Sequence, residues 1–264
     1  MLAYLFSHGS ILINGAIFCA IFVAVSIALA LLIHRFIRPE YFEQHNEQAG
    51  FIFAVIGVVY AVLLAFVAIG VWERFDAAEV QTYDESTALV DVYRDATVFP
   101  QGAAIRTAIR TYTHLVIVDE WPKMDSGRRS DAADRAVELL ARDVNRLQPR
   151  SMDDQDVHAA MLSSVDRVLA DRASRLSMEA TGLNPIVWAV LSGGAIVTVA
   201  FSFLFPFKRR RMQAIMVGAL ALSIAMVFYL TSAIDVPFHG DITVQPHAFE
   251  NALHDFADID ATGK

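Results

Sequence analysis

Four long stretches without a single charged residue constrain this chain more than any other feature. They cover residues 11–33, 50–72, 186–207 and 212–234, and each has 22 or 23 residues. A helix needs about 20 apolar residues to cross the hydrocarbon core of a bilayer, and buried helices of soluble proteins rarely run that far without a charge. We therefore predict an all-α polytopic membrane protein with four transmembrane helices.

The composition agrees with this class and excludes several others. Hydrophobic residues make up 55% of the chain and charged residues 19%, below the ~25% usual for soluble domains. The net charge of −8 excludes nucleic acid as an expected partner. A single cysteine, Cys19, excludes a disulfide framework, and its apolar neighbours indicate a packing residue. Because residues 1–10 hold no Lys or Arg, we expect an uncleaved first span, not a signal peptide.

The spans divide the chain into four parts. Residues 1–72 are predicted to form a first transmembrane hairpin, and residues 186–234 a second one. The polar residues 73–185 form a helical extramembrane domain between the hairpins, and residues 235–264 are a C-terminal tail. The insert carries 14 Lys and Arg against 20 Asp and Glu, so it is acidic.

The polar insert has the pattern of an antiparallel helical bundle. No Gly or Pro occurs between Val71 and Phe99, so span two is predicted to continue unbroken as one helix of nearly 50 residues. Apolar residues then recur at helical spacing in three further segments. The first is predicted to cover about 103–120 and to be closed by Trp121-Pro122, and the second covers 131–147. The third starts at the capping box of Ser151 and Asp154 and runs to about 181.

The basic residues near the spans predict the orientation. Arg35, Arg38 and the run Lys208–Arg211 lie in the two short loops, and short loops rich in Lys and Arg stay in the cytoplasm. This places both termini and the acidic insert in the periplasm, with the spans in a bacterial inner membrane.

The sequence lacks the residues that catalysis and coupled transport require. It has no nucleotide-binding glycine motif and no zinc-protease or CxxC motif, and we expect neither an enzyme nor a cofactor. His34 and His45 are expected in an interfacial loop, not in a metal site. Proton- or ion-coupled carriers usually keep a charge within their spans, whereas a channel needs none.

The polar part of the long helix carries seven acidic residues. We predict that most of them form a solvated face; the alternative is a vestibule that attracts cations. They are Glu73, Asp76, Glu79, Asp84, Glu85, Asp91 and Asp95.

Span two has two separate faces. A stripe of small residues recurs at helical spacing and allows close helix packing. On another face, Val59, Leu63, Phe66 and Gly70 either contact lipid or line the apolar neck of a pore in an oligomer. The small residues are Ala54, Gly57, Ala61, Ala65 and Ala68.

Several spaced motifs resemble a bestrophin-like family of bacteria and plants. The run from Gly57 to Phe66 is similar to the second span of that family, and the likeness covers roughly residues 50–253. The matching positions include Tyr60, Trp72, Glu73, Glu85, Tyr93, the triplet Glu120-Trp121-Pro122, Pro185 before Trp188, and the segment Pro237-Phe238-His239-Gly240.

The resemblance extends more distantly to the bestrophins themselves. It implies a pentameric ion channel, mostly for anions, with four spans and a second span that lines the pore. It also implies a cytoplasmic helical region, where the charge count predicts a periplasmic one. Only Asp241 stands where animal bestrophins carry an acidic calcium-binding run, so we expect no metal site.

Two functions therefore stay open. The first is an oligomeric, bestrophin-like channel that passes small ions passively through an apolar neck. The alternative is a membrane-anchored helical scaffold or sensor whose extramembrane domain binds a partner or ligand. The expected partners are the lipid bilayer, further copies of the chain (a pentamer if the likeness to bestrophins holds) and small ions.

Overall fold

The computed structural model describes residues 11–36, 46–179, 182–205, 210–240 and 242–262. Within these ranges every regular element is a helix, which confirms the predicted all-α class. In chain order the α-helices are α1 (Ile11–Phe36), α2 (Asn46–Asp95), α3 (Gly102–Leu115), α4 (Trp121–Met124), α5 (Asp131–Asn145), α6 (Met152–Glu179), α7 (Pro185–Ser202), α8 (Arg210–Ala233) and α9 (His247–Thr262).

In the part of the chain that the structure describes, four helices are long and apolar enough to cross a membrane, as predicted: α1, α2, α7 and α8. The third span is shorter than the predicted 186–207, because α7 ends at Ser202. Pro206 disfavours helical backbone for the residue before it. The helix therefore ends before the apolar sequence does. The fourth span starts earlier than predicted, and Arg210 and Arg211 belong to its first turn.

The long second helix is confirmed. It runs for 50 residues from Asn46 to Asp95, which corresponds to about 75 Å at the usual rise per residue. A short 3₁₀ turn, Ala96–Val98, follows it, and the helix ends just before Phe99-Pro100. Because nothing in the sequence interrupts the backbone hydrogen bonds, the apolar and polar parts form one continuous element.

The contacts divide the chain into two units. The membrane unit comprises the described parts of Met1–Glu73 and Leu183–Asp235, and the bundle unit those of Arg74–Gly182 and Val236–Lys264. The first residues of α2 belong to the membrane unit and its later residues to the bundle unit.

Glycines allow the spans of the membrane unit to approach closely. A Cβ atom at Gly194 of α7 would lie 2.6 Å from Cε2 of Tyr60 on α2, and one at Gly15 of α1 would lie 2.7 Å from Cε1 of Tyr229 on α8. The rings of Trp188 and Phe228 join α7 to α8, with centroids 5.2 Å apart. The helices thus contact one another in the order α2, α7, α8, α1.

The bundle unit has a dense apolar core that α3, α5, α6, α9 and the later part of α2 build together. Residues with helical spacing point inward as predicted on α3 and α5. Core side chains that are fully buried include Leu89, Ile109, Tyr112, Leu140, Val144, Met161, Phe249 and Phe256.

One prediction for the bundle unit was wrong. Trp121-Pro122 does not close the second predicted helix, since a π-helical turn, Val116–Glu120, connects α3 to α4. Pro122 stands at the start of α4, where its missing N–H is not needed. No element was predicted for the C-terminal tail, where α9 contributes Phe249 and Phe256 to the core.

The predicted capping box at the start of α6 is confirmed. The backbone N–H of Asp154 donates to Oγ of Ser151 at 3.0 Å, and the Asp154 carboxylate accepts from the N–H of Arg150 at 3.0 Å. Hydrogen bonds to its carboxylate lower the pKa of Asp154, the bond from the Arg150 N–H most strongly and the Ser151 side chain next. A second cap was not predicted: Ser130 accepts from the N–H of Ala133 at the start of α5.

Candidate functional site

Among the residues that the structure describes, span two packs against the other spans through one of its faces. Tyr60 and Leu64 are buried against the other spans, with 6% of each side chain exposed. Val59 and Phe66 lie on a different face and are 64% and 71% exposed, while Leu63 and Gly70 are half-buried. The predicted neck residues therefore share one helix face. Two of them, Val59 and Phe66, project away from their own chain.

Most of the small-residue stripe of span two is left uncovered within the described chain. Ala54, Ala61 and Ala65 are exposed, and Gly57 has nothing within 4 Å of a Cβ built on it. The close approach between α2 and α7 depends instead on Gly194, which Tyr60 covers. Of the two glycines at 193 and 194, the second is thus a packing position in an unbroken helix.

In the bundle unit, Glu85 is fully buried and accepts hydrogen bonds from two neighbours. The Tyr112 hydroxyl donates to Oε1 at 2.6 Å, and Nε of Arg175 donates to Oε2 at 2.8 Å. Burial raises the pKa of Tyr112 well above its usual value, and the Glu85 charge adds to this shift. Glu85 was predicted as part of a mostly solvated acidic face, and for this residue that prediction was wrong.

A second buried carboxylate, Glu120, completes the surroundings of Arg175. Nη2 of Arg175 lies 2.7 Å from Oε1 of Glu120, and Arg172 binds the same carboxylate as well as Oδ1 of Asp134 at 2.6 Å. Burial lowers the pKa of Arg175, but Glu85 and Glu120 outweigh burial and the pKa is raised. We call Glu85, Glu120, Arg172, Arg175 and Asp134 the charge network.

Aromatic residues cover the charge network. The guanidinium of Arg175 lies 5.1 Å from the ring centre of Trp121 and 5.5 Å from that of Phe249. Phe238 packs edge-on against Trp121, with ring centres 5.6 Å apart. These distances suit cation–π and edge-to-face contacts, which are strongest away from water.

The segment after span four folds back to Trp121. Nε1 of Trp121 donates to the carbonyl of Val244 at 3.1 Å, and the Val244 N–H donates to the carbonyl of Pro237 at 2.8 Å. Gly240 adopts a φ of +99°, which side chains disfavour, so this turn requires glycine. Separate motifs of the sequence thus meet around one buried arginine.

The remaining predicted motif positions lie elsewhere. Trp72 and Glu73 are exposed on α2. Trp188 is in the membrane unit, where its Nε1 donates to Asp235 at 3.2 Å. His45 and Asp241 lie outside the described residues, and so does the side chain of His34. Within the part of the chain that the structure describes, no three His, Cys, Asp or Glu side chains are grouped as metal ligands.

A family model described as a bestrophin-like domain matches residues 20–249, which is most of the chain. The chain belongs to the bestrophin-like family. A comparison with curated proteins finds no match. The predicted resemblance is therefore confirmed at the level of the family.

Solved structures of bacterial bestrophin homologs share the fold of this bestrophin-like chain. A crystal structure of a homolog from Klebsiella pneumoniae is 14% identical, with a TM-score of 0.67, and the match covers 93% of this chain and 98% of that one. A variant of that homolog is 13% identical, with a TM-score of 0.68 and coverage of 91% and 98%. At this identity the likeness concerns the fold.

The bestrophin-like motifs identified in the sequence do not include the two arginines at the centre of the charge network. Arg172 and Arg175 entered only the charge count. A signal was present, because Val165, Val168, Arg172 and Arg175 follow one another at three- and four-residue spacing and so share the inward face of α6. Arginines on an apolar helix face require buried acidic partners, and Glu85 and Glu120 supply them.

Proposed function

We propose that this integral membrane protein assembles into a homo-oligomeric channel that passes small ions passively. Val59, Leu63, Phe66 and Gly70 of each copy would line an apolar neck around the common axis. The main support is an apolar face of span two that the chain itself does not cover: Val59 and Phe66 are largely exposed, and the chain belongs to the bestrophin-like family.

The chemistry of the spans supports passive conduction. An apolar constriction gates by excluding or admitting water, and no charged side chain is required within the spans. The four predicted spans hold no Asp, Glu, Lys or Arg. Ion-coupled carriers usually keep a charged residue within their spans, so these helices favour a channel over such a carrier.

Widening the neck tests the proposal. We expect Phe66→Ala and Leu63→Ala to raise the single-channel conductance of protein reconstituted in planar bilayers, since each substitution removes an apolar barrier. Val58→Ala is the control, because Val58 is equally exposed on another face of the same helix. Equal currents in all variants, or no current in any of them, would contradict the proposal.

We further propose that the bundle unit and both termini are periplasmic. The support is the charge asymmetry, with basic residues in the short loops and an excess of acidic residues in the insert. Protease added to intact spheroplasts should cleave the insert, at sites such as the exposed loop around Arg128. Cleavage only after the spheroplasts are lysed would reverse the orientation.

A further inference from the structure

A cleft of about 200 Å³ opens on the bundle unit beside the turn that follows span four. One wall is formed by α2, where Phe75, Glu79 and Tyr83 succeed one another at intervals of four residues. This spacing places the three side chains in one row along the helix. The row has a carboxylate in the middle and an aromatic ring on either side.

The opposite wall combines the polar residues Thr243, Gln245 and His247 with Val244 and Ala248. Nε2 of Gln245 donates to Oγ1 of Thr243 at 2.7 Å. Nδ1 of His247 lies 2.8 Å from the carboxylate of Glu250, so that side chain is also tied to its own segment. The wall therefore offers polar groups to a ligand beside an apolar surface.

The charge in the cleft is available to a ligand. Glu79 is exposed, and the ion pairs formed among the described residues do not include its carboxylate. An anion would meet this negative charge directly. A calcium ion would need six or more oxygen ligands, and Glu79 is the single carboxylate among the residues that line the cleft.

We propose that this cleft binds a small organic ammonium ion. The Glu79 carboxylate supplies the opposite charge, and the faces of Phe75 and Tyr83 contact the positively charged alkyl groups. Aromatic rings beside a counter-charge are the arrangement by which proteins recognise quaternary ammonium groups. The volume of about 200 Å³ is below that of pockets for drug-sized ligands, so an ion of the size of choline fits it best. The proposal goes beyond ion conduction, since none of these residues belongs to the neck.

Choline is the probe that tests the proposal. Its binding to the detergent-purified full-length protein is measured by isothermal titration calorimetry, beside the uncharged isostere in which carbon replaces the quaternary nitrogen. We expect saturable choline binding. The isostere should bind at least about tenfold more weakly, because it loses both the cation–π contact and the ion pair. Equal affinities for the two compounds, or no saturable binding of choline, would overturn the proposal.

Two variants and a matched control locate the binding. Glu79→Gln should weaken choline binding about tenfold, and Tyr83→Leu should weaken it several-fold while keeping an apolar side chain. Asp84→Asn removes an exposed carboxylate from the same helix outside the cleft and should leave the affinity unchanged. All three positions carry exposed or solvent-facing polar groups, so the fold is retained. An affinity that falls equally in Glu79→Gln and Asp84→Asn would overturn the site, because it would indicate a general effect of surface charge.

Discussion

At the scale of single residues, Arg175 is the centre of the bundle unit. Its side chain and those of Glu85 and Glu120 have no exposed surface, and burying such charges is costly unless each is paired and hydrogen-bonded. Here each carboxylate has two or more donors, and Nη1 of Arg175 contacts Sδ of Met124 at 2.9 Å. We expect the arrangement to favour this packing of α2, α6 and the π-helical turn, because a shift of any of them would leave buried charges without partners.

Removing Arg175 should therefore destabilise the protein strongly. Arg175→Met leaves two carboxylates buried with incomplete partners, and we expect the free energy of unfolding to fall by about 3–5 kcal/mol. The measurement is thermal unfolding of the purified protein followed by circular dichroism, where the Tm should fall by roughly 10 °C.

The control for this variant is Arg167→Met on the same helix. The Arg167 side chain is 57% exposed, so its loss should change stability by no more than about 0.5 kcal/mol. Equal shifts of Tm for the two variants would mean that the charge network does not contribute more than a surface ion pair.

Part of this site could be predicted from the sequence. Glu85, Glu120, Trp121 and Phe238 were identified by their resemblance to family motifs, and the structure brings them together in one unit. That they meet around an arginine could not be predicted, because partners on different helices are set by tertiary packing and not by spacing along the chain. The hydrogen bonds of Arg175 join positions 90 and 55 residues apart.

At the scale of elements, the contact between α2 and α7 depends on the absence of a side chain at Gly194. Tyr60 lies over this glycine, and its ring occupies the space that a Cβ atom would need. The neighbouring Gly193 has nothing within 4 Å of a Cβ built on it. Two adjacent glycines of one span thus differ completely in what a methyl group would meet.

This difference gives a matched pair of variants. We expect Gly194→Ala to destabilise the membrane unit by about 1–3 kcal/mol, as overpacking of a close contact does, and to lower the yield of folded protein in detergent. Gly193→Ala should leave both quantities unchanged or slightly improved. Fluorescence-detected size-exclusion chromatography after stepwise heating compares the two, and a lower melting temperature for Gly193→Ala than for Gly194→Ala would refute the packing argument.

Elements were predictable where the chain itself carries the signal. The charge-free runs predicted four spans, and the absence of Gly and Pro after Val71 predicted the long helix. The end of α7 and the turn at Trp121-Pro122 were mispredicted because proline acts on the backbone within one turn, in ways that hydropathy does not report. The helix α9 was missed although Phe249, Ala252 and Phe256 share one face, because its short apolar stripe becomes stable only when it packs on the bundle.

At the scale of the whole molecule, the exposed apolar surface of span two indicates that the protein functions as an assembly of several copies. The described spans leave many large apolar side chains uncovered, which lipid or further copies of the chain must cover. A single chain with one packing face on span two cannot enclose an ion path by itself. Conduction through the proposed neck therefore requires several copies around one axis.

Electron microscopy of the full-length protein in lipid nanodiscs tests whether span two lines an axial pore in an oligomer. We expect a ring of identical copies, five if the likeness to bestrophins extends to assembly, with a continuous axial cavity. That cavity should narrow where Val59, Leu63 and Phe66 of every copy face the axis. A monomer or dimer without an axial path, or a ring in which this face of span two contacts lipid, would contradict the account.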